Sequence, residues 1–383
     1  MDTKVFVKEL SKRGVSYVSG VPDSLLKQLI NEIEQSWQRG LHDIASNEGC
    51  AIASAIGHYL GSGKIPLVYM QNSGLGNAYS PLVSLASPEV YGIPMILVIG
   101  WRSEAIDETH YLQDEPQHRL QGQITTSTLD AMNIPWVVID ANSDPLTVVN
   151  DAIKSAETTH GPTALLVRKE TFSKVSEHLR IDSTAPTRSE ILNCVLNTIS
   201  HETTIVSTTG YTSRQLLQVR IALNQSSEND FLVIGGMGHA ISIATGLAIT
   251  NTQKRVLCID GDGSLSMHTG SLFRSAKQQN LTHLVINNQS HDSVGGQRTT
   301  SADSKLHKIA ESFGYKYSFL AEDLQSLNNV LEYVNNFENS VFIEVSSRGR
   351  NEPGLIRPKL PAVQMRDLFM HHQLLRSDNN GSI

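Results

Sequence analysis

The chain has 383 residues, of which 39% are hydrophobic and 18% charged, and a formal net charge of −7. At roughly 100–200 residues per domain, that length holds two domains, perhaps three, each able to bury a core. The acidic balance, without any Lys/Arg-rich run, excludes a nucleic-acid binder working through overall charge, and the longest apolar stretch, around Pro94–Trp101, is far short of the ~20 residues of a membrane helix. An anionic substrate would have to be held by a few local donors.

The opening segment, residues 1–14, is amphipathic and does not read as a signal peptide. Strand-like runs then follow at Val15–Val18, Pro66–Met70, Pro94–Gly100, Trp136–Ile139 and Ala164–Val167. A second series lies at Thr204–Ser207, Phe231–Ile234, Val256–Asp260, His283–Asn287 and Val341–Val345. Amphipathic stretches such as Asp23–Gln35 and Ser271–Gln279 separate them, a pattern of βαβ units around buried parallel sheets in an α/β fold. Between the two series, Arg180–Pro186 is polar and reads as a linker. Thr187-Arg-Ser-Glu190 after it has the form of a capping box opening a helix. The expected domains are therefore 1–180 and 187–376, with a frayed polar tail from Ser377. Cys50, Cys194 and Cys258 form no paired spacing and are expected to be buried free thiols in a reducing cytoplasm.

The sharpest motif is Cys258-Ile-Asp-Gly-Asp-Gly-Ser264, followed by Leu284-Val-Ile-Asn-Asn288. Each is a strand running into a polar turn, and both turns should meet at the C-terminal edge of one parallel sheet, where open α/β sheets bind ligands. Gly261 and Gly263 would let backbone amides approach a phosphate, and a helix after Ser264 would turn its positive end to the anion. Asp262, Asn288 and the carbonyl of Ser290 offer the hard oxygens that Mg²⁺ prefers. No P-loop or dinucleotide fingerprint is present: Gly61-Ser-Gly-Lys64 is followed by Ile65, and neither Gly74-Leu-Gly76 nor Gly236-Met-Gly238 continues correctly. In the first half, Ser46-Asn-Glu-Gly-Cys-Ala-Ile-Ala-Ser-Ala-Ile-Gly57 places Glu48 at the start of a small-residue helix that can pack closely. A carboxylate in such an apolar interface has a raised pKa. The plainer alternative is a first-turn residue favoured by the helix dipole.

The GDG-x23-NN pair resembles the signature of the thiamine-diphosphate enzymes that include pyruvate decarboxylase. That resemblance implies a pyrimidine-binding domain followed by a diphosphate-binding domain of similar fold, bound thiamine diphosphate and Mg²⁺, and sites shared between the chains of a homodimer or homotetramer. It implies too that Glu48 hydrogen-bonds the aminopyrimidine and activates the cofactor. Further strings resemble the phosphonopyruvate decarboxylases, and less so the sulfopyruvate decarboxylases. They include Gly20-Val-Pro-Asp-Ser-Leu-Leu-Lys27, Gln71-Asn-Ser-Gly-Leu-Gly-Asn77, Gly100-Trp-Arg102, Asp114-Glu-Pro-Gln-His-Arg-Leu-Gln-Gly122, Thr208-Thr-Gly210, Gly236-Met-Gly-His-Ala240 and His291-Asp-Ser-Val-Gly-Gly-Gln297.

The implied reaction takes 3-phosphonopyruvate to phosphonoacetaldehyde and CO₂. Sulfopyruvate or another small anionic 2-oxo acid is the alternative substrate, and a non-catalytic binding module the remote alternative. Thr209 and Gly210 would meet the diphosphate. Gly236 and Met237 would lie beside the cofactor, Met237 behind its thiazolium, with core packing as that residue's plainer reading. Asn72 would line the pocket or cap a turn. Arg102 offers a guanidinium fork to the phosphonate, and His118 and His291 could donate or relay protons near neutral pH. Asp23, Ser24 and Lys27 follow a turn at the edge of the site, and surface solvation or helix capping is the plainer reading of each polar candidate. The chain departs from the family at Ser103–Gln113, which is longer, at Tyr211, where Lys is usual, and at Arg298, where Pro is usual.

Overall fold

A computed structural model describes residues 1–38, 40–107, 110–175, 184–335, 338–349 and 354–379. It divides into two compact units, Met1–Leu179 and Arg180–Ile383. Each unit is built on one six-stranded sheet. In the first the strands are β1 (Val18–Gly20), β2 (His42–Ile44), β3 (Leu67–Gln71), β4 (Met95–Gly100), β5 (Trp136–Ile139) and β6 (Pro162–Val167). In the second they are β7 (Thr204–Ser207), β8 (Asp230–Leu232), β9 (Val256–Gly261), β10 (Leu281–Asn287), β11 (Tyr317–Ala321) and β12 (Val341–Ser346).

The spatial orders are β2-β1-β3-β4-β6-β5 and β11-β12-β10-β9-β7-β8. Adding six to every strand of the first order reproduces the second read backwards, so the two units share one topology. Among the described residues every pairing between these strands is parallel. A parallel sheet with helices on both faces must be apolar on both sides. β4 shows this: Met95, Leu97 and Ile99 belong to one core cluster while Ile96 and Val98 belong to the other. In the second sheet Leu284 and Ile286 face one cluster and Val285 another.

Several elements differ from the sequence expectation. β1 begins at Val18, three residues late, because it pairs through Gly20 with Tyr69 of β3. A Cβ on Gly20 would sit 2.1 Å from the Tyr69 carbonyl oxygen, so only glycine permits that approach. β2 and β11, unforeseen in the sequence, are both edge strands with weak apolar runs. The helix expected from Asp23 starts at Lys27, because residues 23–26 form a turn in which the Leu25 and Leu26 amides donate back to Asp23. Of Ser271–Gln279, only Leu272–Ser275 is α-helical. The capping box at Thr187 forms as expected, with the Glu190 amide donating to the Thr187 hydroxyl at 3.2 Å and the Thr187 amide to the Glu190 carboxylate at 2.7 Å. The expected linker lies partly outside the described residues, at 180–183. The tail is ordered further than expected, since the helix Ala362–Asn379 includes Ser377, and 380–383 lie outside the described residues. The three cysteines are not all buried: Cys50 is exposed, Cys194 half-buried and Cys258 buried. Among the described residues no helix is long and apolar enough to cross a membrane.

Candidate active site

In both sheets the chain order reverses between the first and third strands of the unit. At that switch point the loops leaving adjacent strands part in opposite directions and open a crevice at the strands' C-terminal ends. In the second unit the crevice lies between the ends of β7 and β9, from which Thr208–Gly210 and Asp262–Ser264 emerge. Asn288–Ser293 joins them from the end of β10, and Met237 from the loop after β8. A cleft here is lined by Thr208, Thr209, Met237, Gly261–Ser264, Asn288, Ser290 and His291, together with Arg188, Tyr211, Thr212, Ile286, Asp292 and Ser293. The turn glycine Gly210 precedes the helix Tyr211–Ala222 at φ 83° and Gly236 sits at φ 67°, backbone that an L side chain adopts only under strain.

Asp262 is almost wholly buried, and its carboxyl is pushed up to about 6 by burial, against hydrogen bonds from Thr299 and from the Gly263, Asp262 and Asn288 backbone. The Thr299 hydroxyl donates to it at 2.5 Å. An acid held in that state gains from a cation nearby. Asn288 donates its side-chain amide to Asp292 at 2.7 Å and accepts from the Ser290 amide at 3.2 Å, which fixes its oxygen as the acceptor. A carboxylate, an amide oxygen and a backbone carbonyl make the donor set of a hard divalent ion. The helix at the motif starts at Asp262, not after Ser264, and is only six residues long. The Ser264 hydroxyl is bonded to Thr208 at 2.9 Å and to the Gly238 amide at 3.1 Å, so it ties three loops together. A Cβ on Gly263 would lie 2.9 Å from the His291 ring, whereas one on Gly261 meets nothing within 4 Å. Only the second glycine of the motif answers to crowding.

His291 lines the cleft, but burial, partly offset by Asp292, lowers its pKa to about 4. It is therefore a neutral imidazole near pH 7, with one ring N–H to donate and one ring nitrogen to accept. Met237 is half-buried, faces the cleft and is in none of the core clusters, which favours a site position over core packing.

In the first unit the equivalent loops carry the other candidates. Glu48 opens the helix Glu48–Ser62, capped by Asn47. It is buried, and burial raises its pKa against a hydrogen bond from Asn77, whose amide donates at 2.7 Å. Gly74 lies against the carboxyl so closely that a Cβ there would be 2.6 Å from it. Asp23, Ser24 and Arg102 lie together. The Asp23 carboxyl is fully buried and raised to about 6 by burial, partly offset by Arg102 and backbone amides. Arg102 makes a fork on Asp114, 2.6 Å at both bonds, and reaches the Ser24 hydroxyl at 3.3 Å. Burial would raise Asp114, but the hydrogen bonds from Arg102 and from the Glu115 backbone outweigh it and hold its pKa low. The long loop that departs from the family delivers this partner. It folds back through a bridge between Ala105 and Tyr111, while 108–109 lie outside the described residues. His118 is lowered by burial and then by Arg102, and its Nδ1 has no partner. Asn72 donates to the Arg102 carbonyl and to Thr125 and accepts from the Arg102 amide, so it braces the arginine's backbone. Arg298 is exposed and paired with Asp303.

Sequence reasoning assigned no role to Arg188, Asp292, Asn77 or Asp114. The last three lie inside quoted strings and could have been noticed as polar neighbours, but nothing local ties Arg188 to a site 104 residues on. His283 shows in the sequence only as the start of a strand-like run. Cross-strand pairing sets His283 opposite Cys258, with Asp260 completing a buried group whose ligand atoms lie within 4.8 Å of one another.

Comparison with known proteins agrees with this architecture. Residues 3–122 match the thiamine pyrophosphate enzyme N-terminal TPP binding domain, and 208–345 the C-terminal TPP binding domain. A phosphonopyruvate decarboxylase of Streptomyces viridochromogenes is 32% identical, over 95% of this chain and 92% of its own. One of Streptomyces hygroscopicus is 31% identical, over 92% and 88%. A sulfopyruvate decarboxylase of Methanosarcina acetivorans is 25% identical, over 76% and 77%. The chain has the architecture of a thiamine-pyrophosphate enzyme, is a decarboxylase by kinship, and belongs to the phosphonopyruvate decarboxylase family.

Proposed function

We propose that this chain removes CO₂ from 3-phosphonopyruvate, releasing phosphonoacetaldehyde, with thiamine diphosphate held through Mg²⁺. The observation that carries the cofactor part is the convergence of Asp262, Asn288 and the Ser290 backbone on the same cleft as the Thr208–Gly210 turn. Bound thiamine diphosphate supplies the nucleophilic carbon and the electron sink that loss of CO₂ requires. The protein's own groups do the rest. Asp262, Asn288 and Ser290 hold the metal, and the Thr209, Gly210 and Gly263 backbone faces the diphosphate. Glu48, raised by burial and steadied by Asn77, holds a proton at the pyrimidine N1′. Two chains supply one site, Glu48 from one and the diphosphate cleft from its partner, in a homodimer or homotetramer working in the cytoplasm.

The substrate part rests on the kinship to phosphonopyruvate decarboxylases and on Arg102. Asp114 orients its guanidinium and Ser24 supports it, leaving further N–H donors for a phosphonate. Asp23 beneath it and the neutral His118 beside it complete the pocket edge. Sulfopyruvate is the second reading, favoured by the Methanosarcina relative and by Tyr211 standing where the family has Lys. A panel of 2-oxo acids, with CO₂ release followed on purified protein with Mg²⁺ and cofactor, separates them. Fastest turnover of phosphonopyruvate supports the first reading, preference for sulfopyruvate supports the second, and no turnover with cofactor bound overturns both.

A further inference from the structure

Arg188 lies in the first turn of the helix Arg188–Thr198, directly after the capping residue Thr187, a position that reads in sequence as a solvated helix start. Its side chain is only 10% exposed. One guanidinium nitrogen, Nη2, donates to Asp292 at 3.2 Å, and the guanidinium carbon lies 5.9 Å from the centre of the Tyr211 ring. The other terminal nitrogen, Nη1, is buried without a hydrogen-bond partner. A guanidinium N–H taken from water and left unpaired is costly, so the arrangement calls for an acceptor that joins later.

The composition of the cleft says what kind of acceptor. Of the residues that line it, Arg188 is the single arginine or lysine, whereas Asp262 and Asp292 are both carboxylic acids. A diphosphate brought there with one divalent ion remains anionic, and among the described residues lining the cleft Arg188 is the one permanent cation. The planar fork is held on two sides, by the Asp292 carboxylate and by the Tyr211 ring, so little freedom is lost when it binds. Asp292 also receives the Asn288 amide, so one carboxylate anchors both the cation and a residue read above as a metal ligand.

We propose that Arg188 is an anion-binding residue of this cleft, donating Nη1–H to a phosphate oxygen of the diphosphate while Asp292 and Tyr211 hold its plane. This rests on the cofactor reading above. Asp292 is then a positioning residue, acting through Arg188 and Asn288.

The test is calorimetric titration of the full-length protein, in Mg²⁺, with thiamine diphosphate and separately with inorganic pyrophosphate. Arg188→Ala should weaken both ligands by about tenfold to a hundredfold, the range of a charge-assisted hydrogen bond. Arg188→Lys keeps the charge but loses the fork, and should fall between Ala and the wild type. Asp292→Asn keeps an acceptor for both partners and removes a negative charge beside the anion, so it should bind pyrophosphate at least as tightly as the wild type. Equal weakening by Arg188→Ala and Asp292→Asn would reduce the pair to a structural brace and overturn the inference, as would Arg188→Ala binding within twofold of wild type. If ligand-free melting shows that Arg188→Ala does not fold, the order of Arg188→Lys against Asp292→Asn decides: Lys weaker than Asn supports the inference, and Asn as weak as Lys overturns it. A wild-type protein that binds neither ligand overturns the cofactor reading itself, a different failure from either of these.

Discussion

Asp23 and Glu48 are two carboxyl groups kept from water by the same fold, and each can be tested alone. Asp23 is fully buried, with one oxygen bonded by the Leu25 amide and the other without a partner. Its folded-state pKa, about 6, lies above the ordinary carboxylate value, so the fold prefers the neutral acid. Folding is therefore helped by a proton on Asp23 at low pH, and that help is lost as pH rises through about 6. Asp23→Asn keeps an acceptor for the Leu25 amide and removes the charge. The ligand-free variant should match the wild type near pH 4 and exceed it at pH 8, by up to ~3 kcal/mol at 1.36 kcal/mol per pKa unit. Urea melts at the two pH values check this, and a variant less stable than wild type at pH 8 would show that the Arg102–Asp23 attraction outweighs burial. Glu48 faces a different demand, because its proton is needed at the cofactor. Glu48→Gln keeps the shape and the Asn77 contact, so binding of thiamine diphosphate with Mg²⁺ should persist while CO₂ release falls by at least about a hundredfold, the scale of a lost general acid–base group. Unchanged turnover in that variant would remove the role given to Glu48.

The junction of a strand with the turn that leaves it decides what each element contributes, and the two glycines of the Gly-Asp-Gly turn show it. Gly261 closes β9 in ordinary extended backbone with open space around it. Gly263 sits inside the first turn of the following helix, and a Cβ there would crowd both the His291 ring, at 2.9 Å, and the Thr299 methyl, at 3.2 Å. Thr299 is the residue that bonds Asp262. Gly263→Ala should therefore lower the melting temperature by several degrees, about 1–3 kcal/mol of overpacking, and weaken Mg²⁺-dependent cofactor binding. Gly261→Ala should leave the melting temperature nearly unchanged. Equal effects from the two would refute the distinction. The same junctions explain what was legible in the sequence. Central strands such as β4 and β9 are continuous apolar runs because both faces are buried, and they were foreseen. β2 and β11 were missed because their runs, His-Asp-Ile and Tyr-Ser-Phe-Leu-Ala, carry polar residues, whereas β5 and β8, edge strands too, lie in apolar runs. The Gly-Asp-Gly and Asn-Asn turns stood out because each is local. Arg188 with Asp292 and Cys258 with His283 did not, because topology alone brings those partners together, and Arg102 with Asp114 did not, because the fold of the loop between them does.

At the scale of the whole chain, the two units repeat one strand order, so each has its switch point between its first and third strands. The loops at the two strand-end edges nonetheless carry different residues. The first carries Glu48, Asp23 and Arg102, and the second carries Asp262, Asn288 and Ser290, proposed above to hold the metal. The shared topology thus offers two such edges, and division of labour between them is what the proposed shared site requires. If Glu48 of one chain works with Asp262 of its partner, two dead variants can repair each other. A dimer made from one Glu48→Gln chain and one Asp262→Ala chain contains one doubly damaged site and one site with both residues intact. Co-expression with two different tags, followed by purification through both, isolates that mixed species. It should recover about half of the wild-type turnover, although each parent alone is inactive, because an isologous dimer has two equivalent sites. If both residues instead serve a site within one chain, every site in the mixed dimer lacks one of them, and activity no higher than that of the parents would retire the shared-site arrangement while leaving the roles of Glu48 and Asp262 standing.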